Sequence, residues 1–161
     1  MKFNISNEVL SEIGKITFAF NLIEYSLSEI IVKIVTVGNR KRELGTIITA
    51  ELSFRQLVST LSSLLLFSLG KNNIYVSQFE SIAKLLFKAE QERNIVVHSV
   101  WAAKSDPASP DDVIRIKTTA KYKKGLRNDF VNMNLEELCK ITELIGEAYK
   151  ELCLFELNFQ E

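Results

Sequence analysis

Residues 13–34, IGKITFAFNLIEYSLSEIIVKI, place Ile13, Ile16, Phe20, Ile23, Leu27, Ile30, Ile31 and Ile34 three and four positions apart. At 100° per residue these side chains fall within about 100° of arc, so the stretch predicts an amphipathic helix with one broad apolar face. The helix extends outward from about Ser6 to Val37, and Gly38-Asn39 is a suitable C-terminal stop. Asn21, Glu24, Glu29 and Lys33 make its most apolar part too polar to cross a bilayer unaided.

Three further segments share the helical period. One covers about Leu52 to Leu69, with Ser53 as N-cap and Gly70-Lys71-Asn72-Asn73 closing it. The next covers about Ser77 to Val100, its stripe formed by Phe79, Ile82, Leu86, Ala89, Val96 and Val97. The last covers about Leu135 to Leu157 and opens on Asn134, followed three residues later by Glu137 in a capping-box arrangement. Four amphipathic helices joined mostly by short connections predict an all-α chain, a four-helix up-down bundle.

The connection from Trp101 to Asn134 is long and holds both prolines, at Pro107 and Pro110. The alternating, β-branched stretch Val113 to Thr119 predicts a strand there, paired with Trp101 to Lys104 across the proline turn. A small β-hairpin is thus expected between the third and fourth helices.

Length and composition fit this outline. The chain has 161 residues, enough for one domain spanning 1–161, and its 47% apolar and 25% charged residues are those of a globular protein. Six Gly and two Pro are too few for an all-β sandwich with many tight corners. Lys plus Arg equal Asp plus Glu at 20 each, so the chain is no general polyanion binder and any nucleic-acid affinity must be local. Two Cys and one His are too few for an ordinary four-ligand zinc site, and no metal or cofactor is expected. Cys139 and Cys153 lie fourteen residues apart on one helix, about 21 Å, beyond disulfide reach. Free thiols and an N-terminus without secretory features point to the cytoplasm.

Charge is unevenly distributed. Val113 to Asn128 carries six basic residues (Arg115, Lys117, Lys121, Lys123, Lys124, Arg127) and no acidic one, whereas Asp129 to Glu161 has six negative charges in excess. One reading is a solvated hairpin and a solvated helix face. The other is a phosphate-facing surface, which Arg40-Lys41-Arg42 extends if the fold brings it near.

The third helix ends in Glu90-Gln91-Glu92-Arg93-Asn94-Ile95-Val96-Val97-His98-Ser99-Val100-Trp101, which contains the only His and the only Trp. Arg93 points within about 40° of Leu86, Val97, Phe79 and Ile82, near the middle of the apolar stripe. A guanidinium there needs a partner or a task; Glu24, which interrupts the stripe of the first helix, is the candidate for a purely structural ion pair. Asn94 and His98 are i, i+4 neighbours on the edge of the stripe. An imidazole, with a reference pKa of about 6.5, exchanges protons at neutral pH, and a guanidinium forks onto phosphate oxygens. Together they suit phosphodiester cleavage. One imidazole does not serve both ends of that reaction, but a twofold dimer supplies two.

Arg93-Asn94-x-x-x-His98, an Arg-x4-His motif late in the third helix of a helical bundle, resembles the HEPN (higher eukaryotes and prokaryotes nucleotide-binding) superfamily. The resemblance implies a metal-independent endoribonuclease whose site forms between two copies of the chain, in a toxin or phage-defence setting; the sequence leaves open whether an antitoxin or neighbouring protein restrains it. It makes His98 the general acid or base, Arg93 the phosphate ligand and Asn94 the residue that orients the imidazole or contacts RNA. Arg115, Lys117, Lys121, Lys123 and Lys124 become substrate-binding residues. The alternative is a HEPN-like nucleotide-binding or protein-interaction module without catalysis.

Other sites are poorly supported. Glu90 and Glu92 point about 160° apart and form no catalytic pair. Phe18, Phe20, Phe67, Phe79, Phe87 and Phe155 are read as core rather than as a stacking platform. No glycine-rich phosphate loop is present.

Overall fold

The computed structural model describes residues 5–36, 41–104, 111–121 and 125–159. Among them lie five helices and three strands: α1 (Asn7–Val35), α2 (Arg42–Ala50), α3 (Phe54–Leu69), α4 (Ile74–Val97), β1 (Val100–Ala103), β2 (Val113–Lys121), β3 (Gly125–Met133) and α5 (Leu135–Phe159). The chain is mostly helical, with one small antiparallel sheet.

The apolar stripe of residues 13–34 lies at the centre of the molecule. Ile16, Phe20, Ile23, Leu27, Ile30 and Ile31 are buried on α1, which packs against all four other helices. Around it Phe20 meets Phe54 at 4.9 Å, and Phe79 meets Phe155 at 5.5 Å between ring centroids. Each such side chain removed from water contributes about 1.5–3 kcal/mol, which holds the helices far more firmly than their intrinsic propensities.

Helix ends follow local side-chain chemistry. The Ser6 hydroxyl accepts from the Val9 N–H at 3.2 Å. Gln56 Oε1 accepts from both the N–H and the hydroxyl of Ser53 at 2.8 Å. At the start of α5, Glu137 N–H donates to Asn134 Oδ1 (2.9 Å) while Asn134 N–H donates to Glu137 (3.0 Å), the reciprocal capping box expected from the sequence. α4 begins one turn earlier than Ser77, because the Asn73 side chain accepts from the Tyr75 N–H at 2.9 Å and caps it.

The four-segment expectation omitted α2. This helix lies on α1 through its small residues: Gly45 sits against Val32 and Thr36, and the Thr49 hydroxyl accepts from Ser28 at 2.7 Å. Leu44, Ile47 and Ile48 face outward.

α4 stops at Val97, short of the expected Val100, and His98 is its C-cap, with its N–H bonded to the Asn94 carbonyl at 3.3 Å. β1 starts at Val100. It pairs with β2 as anticipated, Trp101 opposite Arg115 and Ala103 opposite Val113, and β2 pairs in turn with β3, Val113 opposite Met133 and Lys121 opposite Gly125. The sheet order is β1-β2-β3. β3 goes beyond the expected two-stranded pairing.

Alternation gives the sheet two unlike faces. Trp101, Val113 and Met133 anchor one face on the helical core, and the same face carries Arg115, Lys117 and Arg127 further out. The opposite face has Val100, Ile116 and Phe130 in one cross-strand row and Leu126 beyond it; Val100, Leu126 and Phe130 are exposed.

Candidate nucleic-acid interface

Arg93 turns inward from α4. Its guanidinium carbon lies 5.1 Å from the Phe20 ring centroid on α1, and its Nη1 donates to Asn94 Oδ1 at 3.0 Å. The Arg93 Nε is buried without a hydrogen-bond partner among the described residues. Arg93 and Glu24 form no ion pair within 4 Å, so the anticipated structural pairing is replaced by cation–π packing on Phe20. The two groups still interact at longer range. Partial burial raises the Glu24 pKa above the ordinary carboxylate value; the positive charge of Arg93 opposes the shift and the negative charge of Glu90 adds to it.

Asn94 bridges inside and outside. While accepting from Arg93, it lines a cleft of about 550 Å³ between α3, α4 and β2. Lys84, Phe87, Lys88 and Gln91 from α4, Arg55 from α3 and Lys117 from β2 form the remaining polar and aromatic wall. Glu90 neutralises Arg55, accepting from its Nε at 3.0 and 3.1 Å. Lys84, Lys88 and Lys117 form no ion pair among the described residues.

A second cleft, of about 470 Å³, adjoins the first and shares Ile95 and Lys117 with it. Arg115, Thr119, Arg127 and Asp129 also line it. Asp129 accepts from Arg127 at 2.7 Å. Arg115 reaches to 3.5 Å from the Ser99 hydroxyl, and its Nε is a second buried donor without a partner among the described residues.

His98 is exposed at the end of α4 and lines neither cleft. The motif residues are therefore distributed within one chain: Arg93 packs inside, Asn94 stands in the cleft wall and His98 faces solvent. Of the anticipated basic residues, Lys117 joins the cleft that Asn94 lines and Arg115 lines the adjoining one. The Lys121 side chain, Lys123 and Lys124 lie outside the described residues, as does Arg40, while Arg42 bonds Glu29 on α1. Among the described residues, no group of three or more His, Cys, Asp or Glu is placed to hold a metal ion. None of the described helices is long and apolar enough to cross a membrane.

Arg55, Lys84 and Lys88 do not stand out in the sequence. A signal existed in the last two: like charges at i, i+4 destabilise a helix by a few tenths of a kcal/mol, so the pair calls for another explanation. Helical spacing predicts six aromatics in the core. Phe20, Phe79 and Phe155 are there, but Phe18 and Phe67 are exposed and Phe87, 40% exposed, stands in the cleft wall.

No known protein family, curated protein or solved structure matches this chain significantly.

Proposed function

We propose that this protein is a HEPN-like, metal-independent endoribonuclease that works as a homodimer. The observation that carries this reading is Asn94, hydrogen-bonded to Arg93 and standing in the wall of a cleft whose Lys84, Lys88 and Lys117 form no ion pair among the described residues. In this reading α1, α3, α4 and α5 are the four helices of the up-down bundle and α2 is an addition on α1. The toxin or defence setting comes with the same resemblance, and the cytoplasmic location is inferred from the free thiols.

The chemistry is a transfer within the RNA strand. One His98 removes the proton from a ribose 2′-hydroxyl, whose oxygen attacks the adjacent phosphorus. The bond to the 5′-oxygen breaks, the partner copy of His98 protonates that leaving oxygen, and a 2′,3′-cyclic phosphate remains. Arg93 stabilises the charge that builds on the phosphoryl oxygens. Exposure of His98 at a helix end leaves its ring accessible to a second copy.

The test is incubation of RNA with the protein in EDTA, with products analysed for cyclic phosphate ends. Cleavage by the wild type and its loss in His98→Ala support the reading; intact RNA, or cleavage of DNA at a similar rate, overturns it. A second reading, a HEPN-like binding module without catalysis, draws on Arg93 lying over Phe20 rather than in the cleft. It requires binding of a nucleotide, RNA or a protein partner without cleavage.

A further inference from the structure

We propose that the two adjoining clefts form one track for an unpaired RNA strand, with Phe87 as the surface on which a base stacks and Lys84, Lys88 and Lys117 as phosphate ligands. The proposal rests on the ribonuclease reading for its choice of RNA and adds the strandedness of the substrate.

Charge supports it first. The chain carries no net charge, yet the clefts are lined by Arg55, Lys84, Lys88, Arg115, Lys117 and Arg127 against a single lining acid, Asp129. Arg127 is paired to that acid and Arg55 to Glu90, so the positive surplus lies in the three lysines and Arg115. On its far side, facing α5 and away from the track, Lys88 borders a separate cleft with Glu92, Glu143, Glu147 and Lys140, so Lys84 and Lys117 are the phosphate ligands least offset by acids. Lys84 and Lys88 are one turn apart, about 6 Å along the axis, and Lys117 meets them from the sheet.

Phe87 selects the strandedness. Its ring lies edge to face with Phe54, 6.1 Å between centroids at 89°, and the Arg55 guanidinium carbon lies 5.9 Å from its centroid. These contacts hold the ring in the cleft wall while 40% of the residue remains exposed. A duplex keeps its bases stacked inside and offers an aromatic wall nothing to bind. An unpaired strand offers the face of each base, which stacks on aromatic rings and guanidinium planes.

The experiment uses the full chain carrying His98→Ala, in EDTA, and follows fluorescence anisotropy of a 5′-fluorescein 12-nucleotide single-stranded RNA. Binding is expected to be tighter than to a blunt duplex of the same sequence. Phe87→Leu weakens it by roughly 5- to 150-fold, whereas Phe67→Leu, at a 90% exposed ring on α3, changes it less than twofold. Lys84→Gln with Lys88→Gln lowers the slope of log affinity against log salt by about 1.4; both side chains are exposed, so this variant carries the test if Phe87→Leu fails to fold. Equal duplex binding, no effect of a folded Phe87→Leu, or equivalent displacement of RNA by polyglutamate overturns the track. Cleavage by the wild type with no effect of Phe87→Leu removes the track and keeps the nuclease; stacking-dependent binding with no cleavage removes the nuclease and keeps the track.

Discussion

The guanidinium of Arg93 packs on the ring of Phe20, with 5.1 Å between its central carbon and the ring centroid, and so ties α4 to α1 beneath the candidate site. A contact of this kind contributes about 0.5–2 kcal/mol, rising with desolvation. Arg93→Ala loses the contact and the packing of the side-chain stem, and a fall in melting temperature of several degrees is expected. Arg93→Met keeps the stem and removes the buried Nε that has no partner among the described residues, so it is expected to melt above Arg93→Ala. Thermal denaturation of both variants checks the order.

Two carboxylates are expected to move stability with pH in opposite senses. Burial raises the Glu24 pKa, so its ionisation opposes folding: the penalty is absent below the ordinary carboxylate pKa and fully present above the raised one. Glu24→Gln should stabilise the protein at neutral pH and lose that advantage near pH 4. Glu12 is the reverse, its pKa lowered by the hydrogen bond from Lys15 at 2.8 Å and by the Thr142 hydroxyl. Its contribution is present above the ordinary value and lost as pH falls through the lowered one, so Glu12→Gln should destabilise at neutral pH and matter little in acid. Urea titrations between pH 3 and 7 read both differences.

Gly45 and Gly14 should respond to alanine with opposite signs. A Cβ on Gly45 would stand 3.0 Å from Val32 Cγ1 and 3.1 Å from the Val32 backbone, pushing α2 off α1. An overpacked contact costs about 1–3 kcal/mol, more than helix propensity returns. Gly14 lies in α1 with nothing within 4 Å of such a Cβ, and Gly14→Ala should stabilise by about 0.8–1 kcal/mol. Chemical denaturation of the two variants gives the comparison.

Asn134→Ala removes the side-chain acceptor of the α5 capping box. The expected loss is about 1 kcal/mol. Asn134→Ser should recover most of it, as judged by the urea midpoint.

Subunit mixing tests the shared site. If each pocket draws imidazoles from both copies, adding excess His98→Ala chain to wild type should reduce RNA cleavage beyond simple dilution. Activity proportional to wild-type chain alone would contradict the two-copy site.

The sequence is clear where burial follows hydrophobicity. The stripe on α1 and the cap at Asn134 are legible because apolar spacing and capping chemistry act within a few residues. α2 escapes because it inverts that rule, burying Gly45 and Thr49 while exposing Leu44, Ile47 and Ile48. β3 escapes because Arg127, Asn128 and Asp129 interrupt its apolar pattern, and its conformation comes from pairing along β2. In the site, Arg93 and Asn94 stand out as polar groups on or beside an apolar stripe. Lys84 and Lys88 acquire significance only when β2 brings Lys117 across to them.

Only Ser99 separates the cap of α4 from the first residue of β1. His98 therefore sits at the root of an arm whose nine-residue strands reach roughly 30 Å. That root is clamped on two sides: Trp101 Nε1 donates to the Val96 carbonyl at 3.0 Å, Val113 is fully buried, and Asn134 alone joins β3 to α5. The imidazole is thus carried on a fixed corner of the molecule.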